Sequence, residues 1–409
     1  MKAMENRERG SAGQHKGAAM KKGWQTKRLG DVCEIIKGRK PALKATSSNG
    51  DLPYLVAKVM RGSKEAEYAS VKDRNSITVE EAETIIICDG SNSGEVFTGF
   101  RGILSSTMGK IAKKAEIDDD YLRAFLASTF EVFNGAKTGA AIPHLDKEAM
   151  YQLQFPFPPL AEQRRIVGLL DEAFEGLATA KANAEKNLQN ARALFESHLQ
   201  SVFTQRGPGW VEKPIGELCE RLHQGLNTAG EKVKFYESGY PIIQTRNIDD
   251  GVVELDSKMK FMSEEDWQLY KDKYRPEIGD VFFTNIGTIG KTAIVTTDRD
   301  YLIHWNIFKL RPLLGEITSE FLRYTLERLT LSGYFEKLQK GGTVDFVTKK
   351  MISEALILLP AIAEQKSIVA KLDDLREETQ RLARLYERKH AALEALKKSL
   401  LHQAFSGEL

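Results

Sequence analysis

The segment Pro158-Pro159-Leu160-Ala161-Glu162-Gln163-Arg164-Arg165-Ile166-Val167 opens a long stretch that contains two glycines and no proline before Gly207. A second stretch of the same kind begins at Pro360-Ala361-Ile362-Ala363-Glu364-Gln365-Lys366-Ser367-Ile368-Val369. The two Ala-Glu-Gln tripeptides are 202 residues apart, as are Phe203 and Phe405, which close the stretches. A repeat this long predicts two copies of one large unit rather than a solenoid of short repeats.

Each stretch predicts a single long helix. Apolar residues recur at steps near 3.5 residues on a charged background, which is the pattern of a coiled-coil seam. The preceding proline fits the first helical turn, and Gly207 and Gly407 predict the ends. With about 1.5 Å of rise per residue, each helix would be roughly 64 Å long. Neither helix can bury its seam alone, so we expect the two to pack together. The seam residues are Val167, Leu170, Phe174, Leu177, Ala184, Leu188, Ala191, Phe195 and Val202 in the first helix, and Ile368, Leu372, Leu375, Leu382, Tyr386, Leu393, Leu396 and Leu400 in the second.

Length and composition set further bounds. A chain of 409 residues suits two domains with connectors, and a formal net charge of +2 neither demands nor excludes a polyanionic partner. Three cysteines without metal-ligand spacing are expected to be reduced core residues of a cytoplasmic protein. No apolar run approaches a membrane span, and the N-terminus has no signal-peptide core. Residues 1–22 are polar and rich in Gly and Lys, so we expect a disordered tail.

The repeat extends into the segments that precede the helices. Gly23-Trp24 and Leu29-Gly30-Asp31 match Gly209-Trp210 and Ile215-Gly216-Glu217 at an offset of 186 residues, so the second segment is 16 residues longer. Short β-branched or aromatic runs bounded by turn residues predict buried strands in both segments. The predicted pairs are Leu52–Val56 with Tyr240–Gln244, Glu83–Cys88 with Gly279–Thr284, and Ile103–Ile111 with Tyr301–Leu310, followed by short helices at Asp120–Phe130 and Thr318–Leu329.

Candidate catalytic motifs are incomplete. Asn285–Thr292 ends in Gly-Lys-Thr, like a phosphate-binding loop, but Asn285 replaces the first glycine and Thr292–Val295 predicts a strand instead of the required helix. Asp250 with Asp256-Ser257-Lys258 only superficially resembles a metal-nuclease site. The seven histidines are scattered, and the chain lacks a Gly-x-Ser-x-Gly elbow and an Asn-Pro-Pro-aromatic run. We therefore expect a non-catalytic protein that needs no metal or cofactor.

Polar, amide-rich and basic loops occur at matching places in both segments. Asn, Gln, Arg and Lys side chains fit base edges, whereas Ser, Thr and Lys suit phosphates. Loops with the same framing and different contents would suit two readers of different DNA targets. The candidate DNA-binding residues are Arg39, Lys40, Lys58, Arg61, Ser91, Asn92, Ser105, Ser106, Thr107 and Lys137 in the first segment, and Gln224, Thr245, Arg246, Asn247, Asn285, Thr288, Lys291, His304, Asn306, Lys340 and Thr343 in the second.

The chain resembles the specificity subunits of type I restriction–modification systems. The resemblance is carried by Gly-Trp with Leu-Gly-Asp at Gly23–Asp31, by the loop Asp89–Gly94 and its partner Asn285–Gly290, and by Pro-Pro-Leu-Ala-Glu-Gln at Pro158–Gln163. Pro360–Gln365 and the closing Phe405-Ser406-Gly407-Glu408-Leu409 complete it. The second copy departs mildly, reading Pro-Ala-Ile-Ala-Glu-Gln. The similarity covers the chain from about Gly23 to its C-terminus.

The resemblance implies an α+β fold in which two β-rich target recognition domains are joined by two long helices packed as an antiparallel coiled coil. It implies the domains 23–157 and 207–359 and the spacer helices 158–206 and 360–409. Each domain would read one half of a bipartite, asymmetric site in double-stranded DNA, and the helices would set the spacing. Two modification subunits, which use S-adenosylmethionine, would dock on this scaffold, joined by ATP-dependent restriction subunits. We expect a cytoplasmic protein with no membrane partner.

Two other functions remain open from the residues alone. A free-standing DNA-binding regulator would bind its site tightly without enzyme partners. A coiled-coil adaptor that joins two proteins would bind independently of salt and DNA, whereas phosphate contacts make DNA binding steeply salt-dependent.

Overall fold

Two helices of 45 residues carry the repeat. The first long helix spans Leu160–Thr204 and the second long helix spans Ile362–Ser406, which confirms both predictions. The second ends where Gly407 adopts a φ of +85°, a left-handed conformation that glycine takes without steric cost. The computed structural model describes residues 21, 23–63, 65–130, 144–255, 259–338 and 346–409, so the predicted tail lies outside the described residues except for Lys21.

The chain forms two units, each of which contains part of both long helices. The first unit consists of the residues up to Asn183 together with Lys389–Leu409, and the second consists of Ala184–Arg388. The first unit holds the strands Gln25–Arg28, Cys33–Lys37, Asp51–Leu55, Tyr68–Ser70, Thr78–Val79, Ile85–Ile87, Val96–Phe97, Gly102–Leu104, Met108–Lys113 and Gln154–Phe157 and the short helices Leu29–Val32, Ala57–Met60, Asp119–Ser128 and Lys147–Tyr151.

The second unit repeats this order with additions. Its strands are Val211–Pro214, Cys219–Gln224, Tyr240–Ile243, Ile248–Asp249, Val252–Val253, Lys260–Met262, Val281–Thr284, Thr292–Ile294, Leu302–Ile303, Ile307–Pro312 and Leu356–Leu359. Its short helices are Glu264–Tyr274, Ser319–Leu331, Tyr334–Leu338 and Lys349–Ser353, with 3-10 turns at Ile215–Leu218 and Thr245–Asn247.

Both units contain an antiparallel four-stranded sheet with equivalent strand order, which we name the central sheet of each unit. In the first unit the order is Cys33–Lys37, Met108–Lys113, Ile85–Ile87 and Val96–Phe97. In the second it is Cys219–Gln224, Ile307–Pro312, Val281–Thr284 and Thr292–Ile294. This equivalence makes Cys88 the counterpart of Asn285. The Cys88 amide donates to the carbonyl oxygen of Thr107, and the Asn285 amide donates to the carbonyl oxygen of Asn306. The predicted pairing of Cys88 with Thr284 is therefore wrong by one residue.

A second sheet in each unit contains a parallel pair of strands. In the first unit Asp51–Leu55 lies parallel to Gly102–Leu104, and in the second Tyr240–Ile243 lies parallel to Leu302–Ile303. The prediction of one continuous strand over Ile103–Ile111 is wrong, since Gly102–Leu104 and Met108–Lys113 belong to different sheets. The intervening turn lets the chain change sheets, and turn formation there overrides the local strand propensity.

The first and last strands of each β-rich segment pair with each other. Gln25–Arg28 is antiparallel to Gln154–Phe157, and Val211–Pro214 is antiparallel to Leu356–Leu359. This pairing brings the Gly-Trp start of each segment next to the beginning of a long helix. The Gly-Trp start and the Ala-Glu-Gln start of the long helix, the two most similar parts of the repeat, therefore lie at the same end of each segment although they are far apart in sequence.

The long helices lie antiparallel in each unit. In the first unit Lys181 pairs with Glu394 at 2.6 Å, and Arg165 Nη2 donates to the carbonyl oxygen of Leu409 at 2.9 Å, so residue numbers fall along one helix as they rise along the other. In the second unit Arg192 pairs with Glu387 at 3.0 Å. These exposed pairs contribute little energy, so burial of the seam stabilises the contact.

The ends of the long helices also belong to the cores of the units. Ile166, Leu170 and Ala404 are buried with the core of the first unit, where Phe405 meets the rings of Tyr121 and Phe125 edge-on at 5.3 Å. In the second unit the corresponding buried residues are Phe195, Leu199, Phe203, Val369 and Leu372. The predicted seam residues are thus buried or half-buried except for Leu396, which is 47% exposed. Lys397, whose Nζ lies 5.3 Å from the Phe174 ring, faces the first helix instead.

A buried glutamine explains the Ala-Glu-Gln tripeptide. Gln365 Nε2 donates to the carbonyl oxygens of Pro360 at 2.9 Å and Glu316 at 2.8 Å, and its Oε1 accepts from the amide of Thr318 at 3.0 Å. Thr318 in turn caps the helix Ser319–Leu331. Gln163 repeats the arrangement with Pro158 and with Asp118, which caps Asp119–Ser128. Each glutamine thereby ties the start of a long helix to the start of a short one.

Replacing Gln365 by leucine should loosen this junction. The substitution removes three hydrogen bonds and leaves the partly buried Thr318 amide without its acceptor, at a cost of about 1–3 kcal/mol. We expect hydrogen exchange, measured by mass spectrometry on peptides that contain Thr318, to become about 5- to 150-fold faster. Lys366→Leu, at the neighbouring exposed position, is the control. Equal protection of Thr318 in both variants would contradict this role.

Candidate nucleic-acid interface

Three loops of the first unit meet at one end of its central sheet. The Gly38 amide donates to the carbonyl oxygen of Met108 at 2.8 Å, and a Cβ atom on Gly38 would lie 2.2 Å from the carbonyl oxygen of Ser105. The amide of Asp89 donates to the carbonyl oxygen of Thr107 at 3.0 Å. The loops 37–40, 89–94 and 105–107, which the sequence assigned separately to DNA binding, therefore form one surface.

Asp89 is the electrostatic centre of this surface. Its carboxylate contacts Lys37 Nζ and His144 Nδ1, both at 2.8 Å. Burial acts to raise the pKa of Asp89, but the hydrogen bonds from Lys37 and His144 outweigh burial and lower the pKa below its ordinary value. Asp89 is thus ionised at neutral pH and holds a lysine and a histidine at the end of the sheet.

The second unit builds the same frame at the same end of its central sheet. Gly225 repeats Gly38, because its amide donates to the carbonyl oxygen of Ile307 and a Cβ atom would lie 2.4 Å from the carbonyl oxygens of both Ile303 and His304. Asn285 repeats Cys88 through its amide, which donates to the carbonyl oxygen of Asn306 at 3.1 Å. The loops 224–226, 285–291 and 304–306 accordingly meet as their counterparts do.

The frames carry different side chains. Where the first unit has Lys37, the second has Gln224, whose Nε2 donates to the carbonyl oxygen of Trp305 at 2.5 Å. Asp89 and His144 form an isolated backbone β-bridge in the first unit, and Ile286 and Phe346 form the equivalent β-bridge in the second. A charged cluster is thus exchanged for an amide and two apolar residues, while the backbone hydrogen bonds of Gly38 and Cys88 recur at Gly225 and Asn285.

The predicted DNA-binding residues differ in exposure. Those with exposed side chains are Arg39, Lys40, Lys58, Arg61, Ser91, Thr107, Arg246 and Thr288. Half-buried residues are Asn92, Ser106, Gln224, Thr245, Lys291, His304 and Asn306, whereas Ser105, Asn247 and Asn285 are buried. Lys137, Lys340 and Thr343 lie outside the described residues.

Several of these side chains have intramolecular partners. Asn247 Oδ1 accepts from the amide of Gln244 at 3.1 Å, and Lys291 Nζ contacts the carbonyl oxygen of Ile248 at 2.9 Å and Asp249 at 3.1 Å. Arg61 pairs with Glu95. These contacts shape the loops, and Asn247 in particular stabilises its turn from within.

His304 lies beside an exposed tryptophan. Its Nδ1 is 2.8 Å from Oδ1 of Asn306, and burial lowers the pKa of His304 despite this hydrogen bond, which acts to raise it. The ring is therefore neutral at pH 7. Trp305 is 38% exposed and Phe346 is 50% exposed. Neither aromatic residue was among the predicted site residues, since aromatic character alone also predicts core packing.

The structure offers no support for the rejected catalytic motifs. Thr292–Ile294 is a strand, as predicted, so the Gly-Lys-Thr tripeptide does not open a helix. Asp256, Ser257 and Lys258 lie outside the described residues. Within the described ranges, no cluster of three or more His, Cys, Asp or Glu side chains could hold a metal ion. No helix in the described part of the chain is long and apolar enough to span a membrane.

Comparison with known proteins identifies the family. The model of the type I restriction modification DNA specificity domain matches twice, at residues 21–188 and 208–387. The chain belongs to this family. The type I restriction enzyme MjaVIII specificity subunit of Methanocaldococcus jannaschii is 26% identical over 96% of this chain and 94% of its own length. The EcoBI specificity subunit of Escherichia coli is 23% identical over 80% of this chain and 73% of its own length.

Solved structures of the family share the fold. One chain, from work on complex assembly and conformational transition of the type I R-M system, has a TM-score of 0.75 at 21% identity and covers 96% of this chain and 100% of its own. The HsdS subunit from Thermoanaerobacter tengcongensis has a TM-score of 0.57 at 20% identity, with 96% and 99% coverage. The predicted α+β fold is thus confirmed. Two copies of a DNA specificity domain also favour a type I specificity subunit over a free-standing regulator.

The close packing of Gly225 against the carbonyl oxygens of Ile303 and His304 predicts that a larger residue there lowers stability. Gly225→Ala would force a Cβ atom against two carbonyl oxygens, so the turn 304–306 must move, at a cost of about 1–3 kcal/mol. Gly168→Ala, in open space on the first long helix, should instead stabilise by about 0.5–1 kcal/mol. Thermal unfolding of both variants beside the parent checks the opposite signs. A Gly225→Ala protein as stable as the parent would contradict the proposed packing.

Proposed function

We propose that this chain is the DNA sequence-recognition subunit of a type I restriction–modification complex, with residues 23–157 and 207–359 each reading one half of a bipartite, asymmetric site. The observation that carries this proposal is the shared frame at the ends of the two central sheets. Two domains of one architecture that recognise different sequences need similar backbone support and different side chains. The two frames share the backbone contacts at their glycines and differ in the side chains around them. Direct readout requires side chains that differ in donors, acceptors and apolar surface.

The exposed residues divide into two roles. Arg246 and Arg39 have the planar, bidentate donors that suit guanine O6 and N7. Lys40, Lys58, Ser91, Thr107 and Thr288 suit phosphate oxygens, which position the protein on the duplex. The apolar pair Ile286 and Phe346 suits a thymine methyl group. Buried Asn247, Asn285 and Ser105 act by shaping the loops that present these contacts.

The long helices act as a spacer and a docking platform. A rigid antiparallel pair over residues 158–206 and 360–409 sets the distance between the half-sites that the complex accepts. Two modification subunits dock on this scaffold and restriction/translocase subunits complete the complex. The chain itself is non-catalytic, holds no cofactor and works in the cytoplasm. The names of the relatives, all specificity subunits of type I restriction enzymes, support this division of labour.

Substituting Arg246 should separate base readout from phosphate contact. If Arg246 contacts a base, Arg246→Ala costs about 1–3 kcal/mol of cognate binding and little nonspecific binding. Arg246→Lys keeps the charge but loses the bidentate geometry, so it should not restore discrimination. Gel shifts of the complex with modification subunits would use the motif found by methylation-sensitive sequencing of the host genome, across a salt series. Equal losses on cognate and random duplexes would assign Arg246 to phosphate.

Lengthening both helices should change the spacer alone. Four residues inserted after Asn183 and four after Arg388 add about 6 Å, slightly more than one helical turn, so both seams keep facing each other. Since base pairs are about 3.4 Å apart, we expect the preferred spacer to grow by one or two base pairs. The motif would be read from methylation profiles of a host that carries the variant. A change in half-site sequence with an unchanged spacer would refute the spacer role.

A further inference from the structure

The second unit contains a hairpin whose tip is held in an uncommon conformation. Ile248–Asp249 pairs with Val252–Val253, and the intervening Asp250 adopts a φ of +44°. This left-handed region disfavours residues other than glycine, although Asp and Asn tolerate it best. The 3-10 turn that carries Arg246 leads directly into the hairpin. A movement of the hairpin tip would therefore also move Arg246.

The second long helix holds this tip by two side chains. Arg376 Nη1 contacts Asp250 Oδ1 at 3.1 Å, and Gln380 Nε2 donates to Asp250 Oδ2. Arg376 also pairs with Glu327, and its guanidinium lies 4.3 Å from the Phe195 ring. The side chain of Arg376 is only 17% exposed. A guanidinium confined between a carboxylate and a ring has little freedom to follow a moving loop.

Contacts on the other side keep the hairpin against the central sheet. The amide of Ile294 donates to the carbonyl oxygen of Gly251 at 3.2 Å, and Lys291 Nζ contacts the first strand of the hairpin. A Cβ atom on Gly251 would lie 2.9 Å from Arg323 Nη1, so the tip fits closely over the helix Ser319–Leu331. The hairpin is thus fixed between a sheet of the second β-rich segment and the second long helix.

The first half of the chain carries different residues at the positions equivalent to Arg376, Gln380 and Glu327. The buried glutamines set the register, so Phe174 of the first long helix corresponds to Arg376 and Ala178 corresponds to Gln380. The caps Asp118 and Thr318 likewise make Ala127 the counterpart of Glu327. A general requirement of the fold would appear in both halves, so this contact serves something particular to the second.

We propose that Arg376 is a positioning residue for DNA recognition by the second half of the chain. Together with Gln380 it fixes Asp250, and through the hairpin it sets where Arg246 meets the duplex. This inference rests on the proposed function and deepens it. The loop that reads the second half-site is thus held directly by the second long helix. At the equivalent positions of the first long helix, Phe174 and Ala178 lack the polar groups that this contact needs.

Two variants release the hairpin in different ways. Asp250→Gly removes both bonds and also relieves the left-handed backbone, which offsets part of the cost of the lost bonds, so the protein should remain folded. Arg376→Phe places at this position the residue that the first helix has. Arg381→Ala is the matched control, because this exposed arginine one turn away pairs with Glu378 on its own helix. Thermal unfolding of all three establishes that they are folded.

The readout is the base preference of each half-site, measured within one experiment. Complexes with modification subunits would select duplexes from a randomised DNA pool, and Arg246→Ala in the same assay marks the half-site that the second domain reads. We expect Asp250→Gly and Arg376→Phe to lower discrimination at that half-site about tenfold and to leave the other half-site unchanged. Arg381→Ala should change neither.

The possible failures are distinguishable. A parent complex that selects no bipartite motif would overturn the proposed function itself. If the parent selects such a motif and Asp250→Gly keeps both preferences intact, Arg376 has no positioning role. Equal loss at both half-sites would also overturn the inference, because a general structural defect acts on the whole chain.

Discussion

The start of each long helix is bound to its β-rich segment by one buried carboxamide, and much of the architecture depends on that contact. Gln163 and Gln365 each satisfy a proline carbonyl oxygen and the amide of a helix cap. No apolar residue can do this, and glutamate lacks the donor that the carbonyl oxygens require. The contact fixes the direction in which a long helix leaves the segment, and therefore which of its faces carries the seam.

The paired frames show how one fold can serve two recognition tasks. Gly38 and Gly225 allow backbone to approach backbone where a side chain would collide, and amide contacts hold the neighbouring loops. Because these contacts involve main-chain atoms, the side chains around them can change without disturbing the frame. The charged cluster at Asp89 and the apolar pair Ile286 and Phe346 are two occupants of one set of positions.

The two halves are related but not interchangeable. The second β-rich segment adds the hairpin Ile248–Val253 and the helix Glu264–Tyr274, and Arg376 ties that hairpin to the second long helix. The equivalent face of the first long helix carries Phe174, which packs with the core of the first unit. A duplicated chain can thus diverge at its junctions as well as in its loops, since a junction decides how firmly a loop is held.

The sequence by itself determined the duplication, the extent of both long helices, their seam and the absence of a complete catalytic motif, because these depend on local periodicity and on residues close in the chain. It also predicted which loops bind DNA, and that assignment stays a prediction. Only the tertiary structure decided which loops meet, that Asn247, Asn285 and Ser105 are buried, and that Leu396 lies outside the seam. Those outcomes follow from strand register and from packing between residues far apart in sequence, where a shift of one residue reverses the face on which a side chain lies.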